Sequence, residues 1–501
     1  MASPLKQIHK TSLIQYIFLG FIGALSTLAF SPFDLKLIIP FTLAVLIYST
    51  VNSSNFIDAL KRAFSWGLGY WIGGTGWLIV SIYYYGNTHI IISISIIVLM
   101  GALLSAVFIA PFAAIKFIQF KPNIFIHSLV LSSCLILLEL ARFLLLGGFP
   151  WLLPGLVFLD TFGEILIPNI GVYGASYIIY FISSFLALSI VSNKKNYLFI
   201  GLIFLVTFLP YQNNQSETFE KSINLSIIQP SLNPFDKYKP GSDASIEDVL
   251  VNLTNKNKTE DLIIWPESPL PYLNSNPKMK KLIARIEEGP KVLSGSWKFN
   301  NNSLYNSMTI LGTDQTYLKR HLVPFGEYVP FENILRGLID FFNMPMSSLT
   351  EGSPKQNLLE FKDFRILGMI CFDIAFPLSY LQEIKESDFI VNISNDTWFG
   401  ASIGPEQHLE IAQSRAQEHQ KSLVRATNSG ISAIIDRKGN VVNRQGFFED
   451  KKIRESISIY EGKTPFSVVG NYFIYGYIIL IFMYLLIYNR TNVLNTKFNN
   501  E

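Results

Sequence analysis

The chain has 501 residues, of which 50% are hydrophobic and only 15% are charged, and the apolar residues are concentrated towards its two ends. This distribution excludes an ordinary soluble enzyme. The formal net charge of +3 comes from basic residues spread over several loops. Without a basic cluster or a basic stripe interleaved with aromatic residues, the sequence does not indicate nucleic-acid binding.

The apolar ends predict a polytopic α-helical membrane domain of about eight spans. Most of the candidates reach the roughly 20 residues that cross the hydrocarbon core, although 37–53 and 197–210 are short. We interpret the first span as retained, because it is too long for a signal peptide and lacks a small-residue cleavage site. The predicted spans are 13–31, 37–53, 62–83, 89–115, 125–146, 165–192, 197–210 and 470–488.

Loop charges predict the orientation of these spans. The loops after the first, third and fifth predicted spans carry almost no basic residues, apart from Lys36 and, near the end of its span, Arg142. The remaining loops and the termini carry Lys6, Lys10, Lys61, Arg62, Lys116, Lys121, Lys194, Lys195, Arg490 and Lys497. Because basic loops stay in the cytoplasm, both termini are expected there, and the polar region on the outer face of the membrane.

The polar region has a different hydrophobic period. We predict a membrane domain over 1–210, one layered α/β domain over 211–467, and a C-terminal span with a short tail over 468–501. Helical patterns lie at 244–258, 277–288, 375–385 and 405–420. Short apolar runs predict strands at 223–230, 261–268, 291–299, 304–312, 316–323, 364–371, 388–396 and 432–442.

Three ionisable residues end strand patterns of this region, in the order Glu267, Lys319 and Cys371. A carboxylate, an ammonium and a thiol are the components of a cysteine-nucleophile acyl-transfer site. A helical turn is predicted after the cysteine, and a thiol at a helix N-terminus has a lowered pKa. The ammonium could stabilise an oxyanion, and the carboxylate could accept the thiol proton. The other cysteine, Cys134, lies in a predicted span, so no disulfide framework is expected.

This order of residues resembles the nitrilase superfamily, whose members fold as an αββα sandwich. The flanking strings resemble apolipoprotein N-acyltransferases over nearly the whole chain. They are GGFPW at 147–151, WPES at 265–268, YLKRHLVPFGEYVPFE at 317–332, PMSSLTEG at 345–352, VNISNDTWFG at 391–400, IGPEQH at 403–408 and RATNSGISAII at 425–435. The resemblance implies a bacterial inner-membrane protein with a periplasmic nitrilase-like domain.

The resemblance also assigns roles to residues. It implies that Glu267 is the general base, Lys319 the transition-state stabiliser and Cys371 the nucleophile. Glu327 matches a second essential carboxylate of the family, which supports the site.

Further positions match residues that shape the active site and its lid, namely Asn306 and Trp398. Two departures from the family pattern are Phe372-Asp373, where Tyr-Glu is usual, and Phe235, where Trp is usual. The first shortens one carboxylate and removes a hydroxyl group, and the second keeps an aromatic ring for lipid contact.

The implied reaction transfers an acyl chain from a glycerophospholipid, through a cysteine thioester, to the α-amine of a diacylglyceryl-cysteine that begins an apolipoprotein. No cofactor or metal is expected, since the six histidines include no HExxH motif. We expect a monomer.

Two alternatives remain open at this point. A membrane-tethered nitrilase-type amidase would use the same three residues, but it would leave the seven preceding spans unexplained. A transporter or scaffold with a non-catalytic outer domain is the second, with Glu139 and Arg142 as a substrate path. We interpret that pair instead as an i, i+3 ion pair within one helix.

Overall fold

The computed structural model describes residues 13–118, 123–144, 147–211, 221–255, 259–286, 290–329 and 348–498. Side chains are described only as far as residue 487. The charge assignments at Lys6, Lys10, Lys121, Arg490 and Lys497 therefore lie outside the described residues and side chains, as do the ends of two family strings, 330–332 and 345–347.

Each predicted span contains a helix. In the N-terminal part these are α1 Leu13–Ser26, α2 Ile38–Val51, α3 Phe56–Thr75, α4 Ile90–Phe108, α5 Ile124–Leu144, α6 Ile167–Val191 and α7 Lys195–Ile203. Helix α3 continues into a π-helix, Val80–Tyr85. Within the described residues, three helical stretches are long and apolar enough to cross a membrane, namely Ile90–Phe117, Ile124–Leu144 and Phe162–Val191.

Connections between these helices fall into two groups. The indoles of Trp77 and Trp151, from the α3–α4 and α5–α6 connections, both donate to Gln407 of the polar domain. Two connections with more basic residues, α2–α3 and α4–α5, contact each other, since Lys116 Nζ donates to the carbonyls of Val51 and Ser53 at 2.9 and 2.8 Å. The polar domain thus contacts connections that the charge pattern assigns to a single side.

The polar domain contains two six-stranded sheets. The first has the order β12-β1-β2-β3-β4-β5, and the second has the order β11-β10-β9-β8-β7-β6. The strands are β1 Lys221–Gln229, β2 Leu262–Ile264, β3 Lys291–Asn300, β4 Ser303–Ile310, β5 Thr316–Leu318, β6 Leu359–Phe361, β7 Phe364–Ile370, β8 Phe389–Ser394, β9 Leu423–Thr427, β10 Ser432–Ile435, β11 Val441–Gln445 and β12 Lys451–Ile459.

Helices cover the outer faces of this pair of sheets. They are α8 Ser242–Asn255, α9 Pro277–Arg285 and α10 Gly404–His419. The short α11 Pro465–Val469 packs against α6 and α10 instead, and α12 Tyr472–Phe498 ends the described chain. Side chains alternate along β2, because Leu262 and Ile264 belong to the main core while Ile263 packs in the cluster formed with α8 and α9. The predicted layered α/β domain is confirmed.

The predicted helix at 375–385 is wrong. The chain there forms short 3₁₀ turns, Cys371–Ala375 and Glu383–Lys385. Pro377 disfavours helical backbone at the preceding residue, and Phe376 indeed has φ −104° and ψ 86°. The sequence interpretation also missed β6, β9 and β12.

Candidate active site

The three strand-end residues lie where the sequence places them. Glu267 follows β2 by three residues, Lys319 comes directly after β5, and Cys371 comes directly after β7. Asn306 lies within β4, and Glu327 lies in the loop after β5. The residues therefore come from both sheets, which meet across the core.

The Lys319 ammonium lies between two carboxylates. Its Nζ donates to Glu327 Oε1 at 2.7 Å and to Glu267 Oε1 at 3.3 Å. The Asn306 amide also donates to Glu267 Oε1, at 2.6 Å. Burial alone would lower the pKa of Lys319, but the two carboxylates outweigh it and raise that pKa well above its usual value. The ammonium is therefore protonated and held in place.

Cys371 lies on a strained turn. Its φ is +49°, a conformation that residues with a side chain rarely adopt, and its side chain is buried. Burial raises the pKa of the thiol; the charge of Glu267 raises it further, and Lys319 opposes this effect. The expectation that a helix N-terminus lowers the pKa of this thiol is wrong, because only a five-residue 3₁₀ helix follows and desolvation dominates. The thiol is protonated at neutral pH and would need a base to react.

Asp373 connects the cysteine turn to the lysine strand. One carboxylate oxygen accepts from the backbone N–H of Ile370 at 3.0 Å and from the Tyr317 hydroxyl at 2.9 Å. The other accepts from the backbone N–H groups of Arg320 and His321, at 3.1 and 2.8 Å. The aspartate, which departs from the family pattern, therefore holds Lys319 and Cys371 in register.

Its neighbour Phe372 is an apolar contact. The side chain is buried and packs edge-on against Phe376, with ring centroids 5.0 Å apart. Phe372 thus contributes ring packing and no hydroxyl group to the turn.

A buried histidine, to which the sequence interpretation assigns no role, contacts the cysteine. His408 Nε2 lies 3.3 Å from the carbonyl oxygen of Cys371, and its Nδ1 lies 2.9 Å from Arg425 Nη2. Burial, and then Arg425, lower the pKa of His408, so that the ring is neutral. Nδ1 also lies 3.1 Å from Asp396 Oδ1, which, like the Cys371 carbonyl, accepts a hydrogen bond, so the neutral ring can donate to only one of these two oxygens. The only sequence signal was its place in the string IGPEQH.

Phe235 and Trp398 lie together in an aromatic cluster. The ring of Tyr85, from the π-helix, stacks on Phe235 with centroids 5.4 Å apart and meets Trp398 edge-on at 5.3 Å. The Ser81 hydroxyl of the same π-helix donates to the Trp398 carbonyl at 2.7 Å. Phe235 and Tyr85 also line a cavity of about 430 Å³. The membrane part therefore contributes directly to the loops that carry both predicted residues.

Known proteins resemble both parts of the chain. A family model described as apolipoprotein N-acyltransferase N-terminal domain matches residues 22–185, and one described as carbon-nitrogen hydrolase matches residues 247–459. The apolipoprotein N-acyltransferase of Photobacterium profundum is 33% identical over 484 residues, with 91% of each chain covered. That of Pasteurella multocida is 32% identical over 512 residues, covering 96% of this chain and 97% of the relative.

Among solved structures, a CN-hydrolase superfamily protein from Xanthomonas campestris aligns with a TM-score of 0.36 at 17% identity, over 48% of this chain and 91% of that one.

Proposed function

Because the chain belongs to the apolipoprotein N-acyltransferase family, we propose that it transfers an acyl chain from a glycerophospholipid to the N-terminal amine of diacylglyceryl apolipoproteins. The observation that carries this proposal is the ammonium of Lys319, fixed between Glu267 and Glu327 and close enough to Cys371 to stabilise its thiolate form. This arrangement combines a nucleophile, a base and a fixed cation in a buried site.

In the first half-reaction, Cys371 Sγ attacks an ester carbonyl of the phospholipid. The thiol proton passes to Glu267, which the protonated state of the thiol requires. Lys319 stabilises the negative charge on the carbonyl oxygen. The ester C–O bond breaks, the departing alkoxide takes the proton from Glu267, and a lysophospholipid leaves while the acyl chain stays on sulfur.

In the second half-reaction, the α-amine of the diacylglyceryl-cysteine attacks the thioester. An N–C bond forms and the C–S bond breaks. Glu267 accepts the amine proton and returns it to the sulfur of Cys371, so that an amide and the free thiol result. Burial of the site protects the thioester from water between the two steps.

We also propose the topology and the division of the chain. The membrane domain 1–210 and the segment 468–501 provide eight spans, with 211–467 on the periplasmic side of the inner membrane and both termini in the cytoplasm. The asymmetry of basic residues supports this orientation. Contacts from Trp77 and Trp151 to Gln407 support the placement of the polar domain beside the poorly charged connections.

Intact-mass analysis tests the proposed function. Purified protein incubated with phospholipid should gain one long-chain acyl group, which neutral hydroxylamine releases, and Cys371→Ala should gain none. Lysophospholipid release should then stop after one turnover. It should resume when a diacylglyceryl peptide with a free α-amine is added, but not when that amine is acetylated.

The opposite result would identify another activity. Steady lysophospholipid release without any amine would make water the acceptor and the protein a hydrolase, as in the amidase alternative. Full activity of Cys371→Ala would support a non-catalytic outer domain. Retained acylation in Glu267→Gln would make a different group the base, with Glu327 as the first candidate.

A further inference from the structure

A second buried lysine lies next to the candidate site, and neither the proposed mechanism nor the sequence interpretation uses it. Lys237 is 8% exposed and lies in the loop between β1 and α8. Its ammonium donates to the Ser268 carbonyl and lies over the rings of Tyr238 and Trp297, 5.3 and 5.6 Å from their centroids. In the described part of the chain, no carboxylate comes within ion-pairing distance of it.

This environment differs from that of Lys319. Lys319 has two carboxylate partners, whereas Lys237 has one carbonyl and two aromatic faces, although an ammonium has three hydrogen-bond donors. Burial of a cation without a counter-ion destabilises a fold, and such groups gather at functional sites. Burial lowers the pKa of Lys237 to about 8, with the charge of Glu267 opposing that effect. The side chain therefore still carries its positive charge at neutral pH.

Lys237 lines a cavity of about 300 Å³ that contains two more lysines. Lys239 is paired with Asp236 at 2.5 Å, and Lys278 is paired with Asp243. The two outer lysines are thus paired with carboxylates, one of which, Asp243, also lines the cavity, whereas Lys237 has no such partner within the described residues. A cavity of this kind fits an anionic group.

The cavity lies at the same edge of the sheet as the candidate active site. Strands β1 and β2 are parallel neighbours, so the loops after them, which carry Lys237 and Glu267, emerge at one edge. The carbonyl that Lys237 binds belongs to Ser268, the residue directly after Glu267. The Ser268 hydroxyl donates to Asn306 Oδ1 at 3.1 Å, and Asn306 contacts Glu267.

We propose that this cavity binds a phosphate group through Lys237, and that the headgroup of the phospholipid acyl donor supplies it. The inference rests on the proposed function and names the part of the donor that is recognised outside the reacting ester. In a glycerophospholipid, only the glycerol backbone separates the phosphate from the acyl ester. A phosphate at Lys237 would therefore place the ester on the side of Glu267 and Cys371, while Lys supplies a point charge for the phosphate oxygens.

The test compares two acyl donors in the same detergent micelles. Phosphatidylethanolamine carries the phosphate, and p-nitrophenyl palmitate does not. Lys237→Met removes the charge and keeps an unbranched apolar side chain. Lys239→Met is the matched control, because Lys239 lines the same cavity but is exposed and already paired. The measured quantity is the rate of acyl-enzyme formation against donor concentration.

Lys237→Met should raise the half-saturating concentration of phosphatidylethanolamine roughly ten- to a hundredfold, as expected for the loss of a charge-assisted hydrogen bond. In the same variant, the half-saturating concentration of p-nitrophenyl palmitate should stay within about twofold of the wild-type value. Lys239→Met should change the half-saturating concentration of either donor by no more than about twofold. An equal rise in the half-saturating concentrations of both donors would show that Lys237 only supports the loop. An unchanged half-saturating concentration of phosphatidylethanolamine would show that Lys237 contacts no phosphate. Either result overturns the inference.

A competition experiment identifies the source of the phosphate and needs only the phospholipid donor. sn-Glycerol 3-phosphate should inhibit wild-type acylation competitively, more strongly than inorganic phosphate, and should not inhibit Lys237→Met. Equal or stronger inhibition by inorganic phosphate would make this a free-phosphate site and overturn the assignment to the lipid. If wild type forms no acyl-enzyme with either donor, the proposed function itself fails. If wild type forms the acyl-enzyme but Lys237→Met behaves like wild type with phosphatidylethanolamine, only the inference about the phosphate site fails.

Discussion

Cys371 is a neutral thiol because of the groups around it. Burial disfavours the thiolate, and Glu267 and Glu327 together carry more negative charge than Lys319 compensates. Such a cysteine gains reactivity only when a base removes its proton in the presence of substrate. The site therefore depends on the distance between the thiol and Glu267 more than on a preformed nucleophile.

Alkylation of Cys371 should reflect this state. The ordinary pKa of a cysteine is about 8.5. Because only the thiolate reacts with iodoacetamide, the alkylation rate of Cys371 should still increase with pH above that value. Glu267→Gln removes one of the charges that raise the pKa and should move the profile to lower pH. Mass spectrometry of the Cys371 peptide measures the rate, with Cys371→Ser as the blank. A plateau below pH 8 would contradict the protonated state.

Asp373 provides a second test on single residues. In Asp373→Asn, an N–H donor replaces an oxygen that accepts two hydrogen bonds, so at least one buried donor loses its partner. We expect a loss of roughly 2–4 kcal/mol in the free energy of unfolding. Acylation should fall as well, because Lys319 and Cys371 lose their shared support. Thermal unfolding in detergent measures the first effect, with exposed Asp363→Asn as the control. Unchanged stability would show that the four contacts contribute little.

At the scale of elements, α10 connects the membrane part with the candidate site. Gln407 Oε1 accepts from the indoles of Trp77 and Trp151, at 3.0 and 2.7 Å. The next residue, His408, contacts the Cys371 carbonyl. One turn of helix therefore joins the tryptophans Trp77 and Trp151 to the turn that carries Cys371.

Gln407→Ala should weaken this connection. It leaves two buried indole N–H groups without their acceptor, and each such group costs about 1–3 kcal/mol. We expect a lower unfolding temperature in detergent and slower acylation. Gln413→Ala on the same helix is the control, since the amide of Gln413 donates only to the Gly439 carbonyl. Equal effects of the two variants would show that Gln407 has no special role in the junction.

At the scale of the whole molecule, the connections sort into two groups by their contacts as well as by their charge. The charge pattern predicts that 192–195 and the polar domain lie on opposite sides of the membrane. In a background without Cys134 and Cys371, Ser192→Cys and Ser245→Cys introduce exposed thiols in the two places.

An impermeant maleimide applied to intact spheroplasts should label Ser245→Cys and spare Ser192→Cys. After permeabilisation both variants should react, which controls for the accessibility of each thiol. Labelling of Ser192→Cys alone from outside would reverse the proposed orientation.

The sequence by itself determined most of the elements and the presence of three ionisable residues at strand ends. Apolar period and loop charge are local properties, so the helices of the membrane part, most strands, and Glu267, Lys319 and Cys371 could be predicted from neighbours along the chain. The tertiary structure decided the properties that depend on distant residues. Asp373 bonds Tyr317, 56 positions away, and His408 contacts Cys371 across 37 positions.

Contacts between distant residues also explain the predictions that were wrong. The start of a helical pattern predicts a lowered thiol pKa, but desolvation sums over every group that surrounds the thiol, and those groups come from both sheets. The pattern at 375–385 was helical in its apolar spacing, yet Pro377 and the contacts of Asp373 favoured 3₁₀ turns. The burial of Lys237 likewise arises from Trp297 and Ser268, which only folding brings to it.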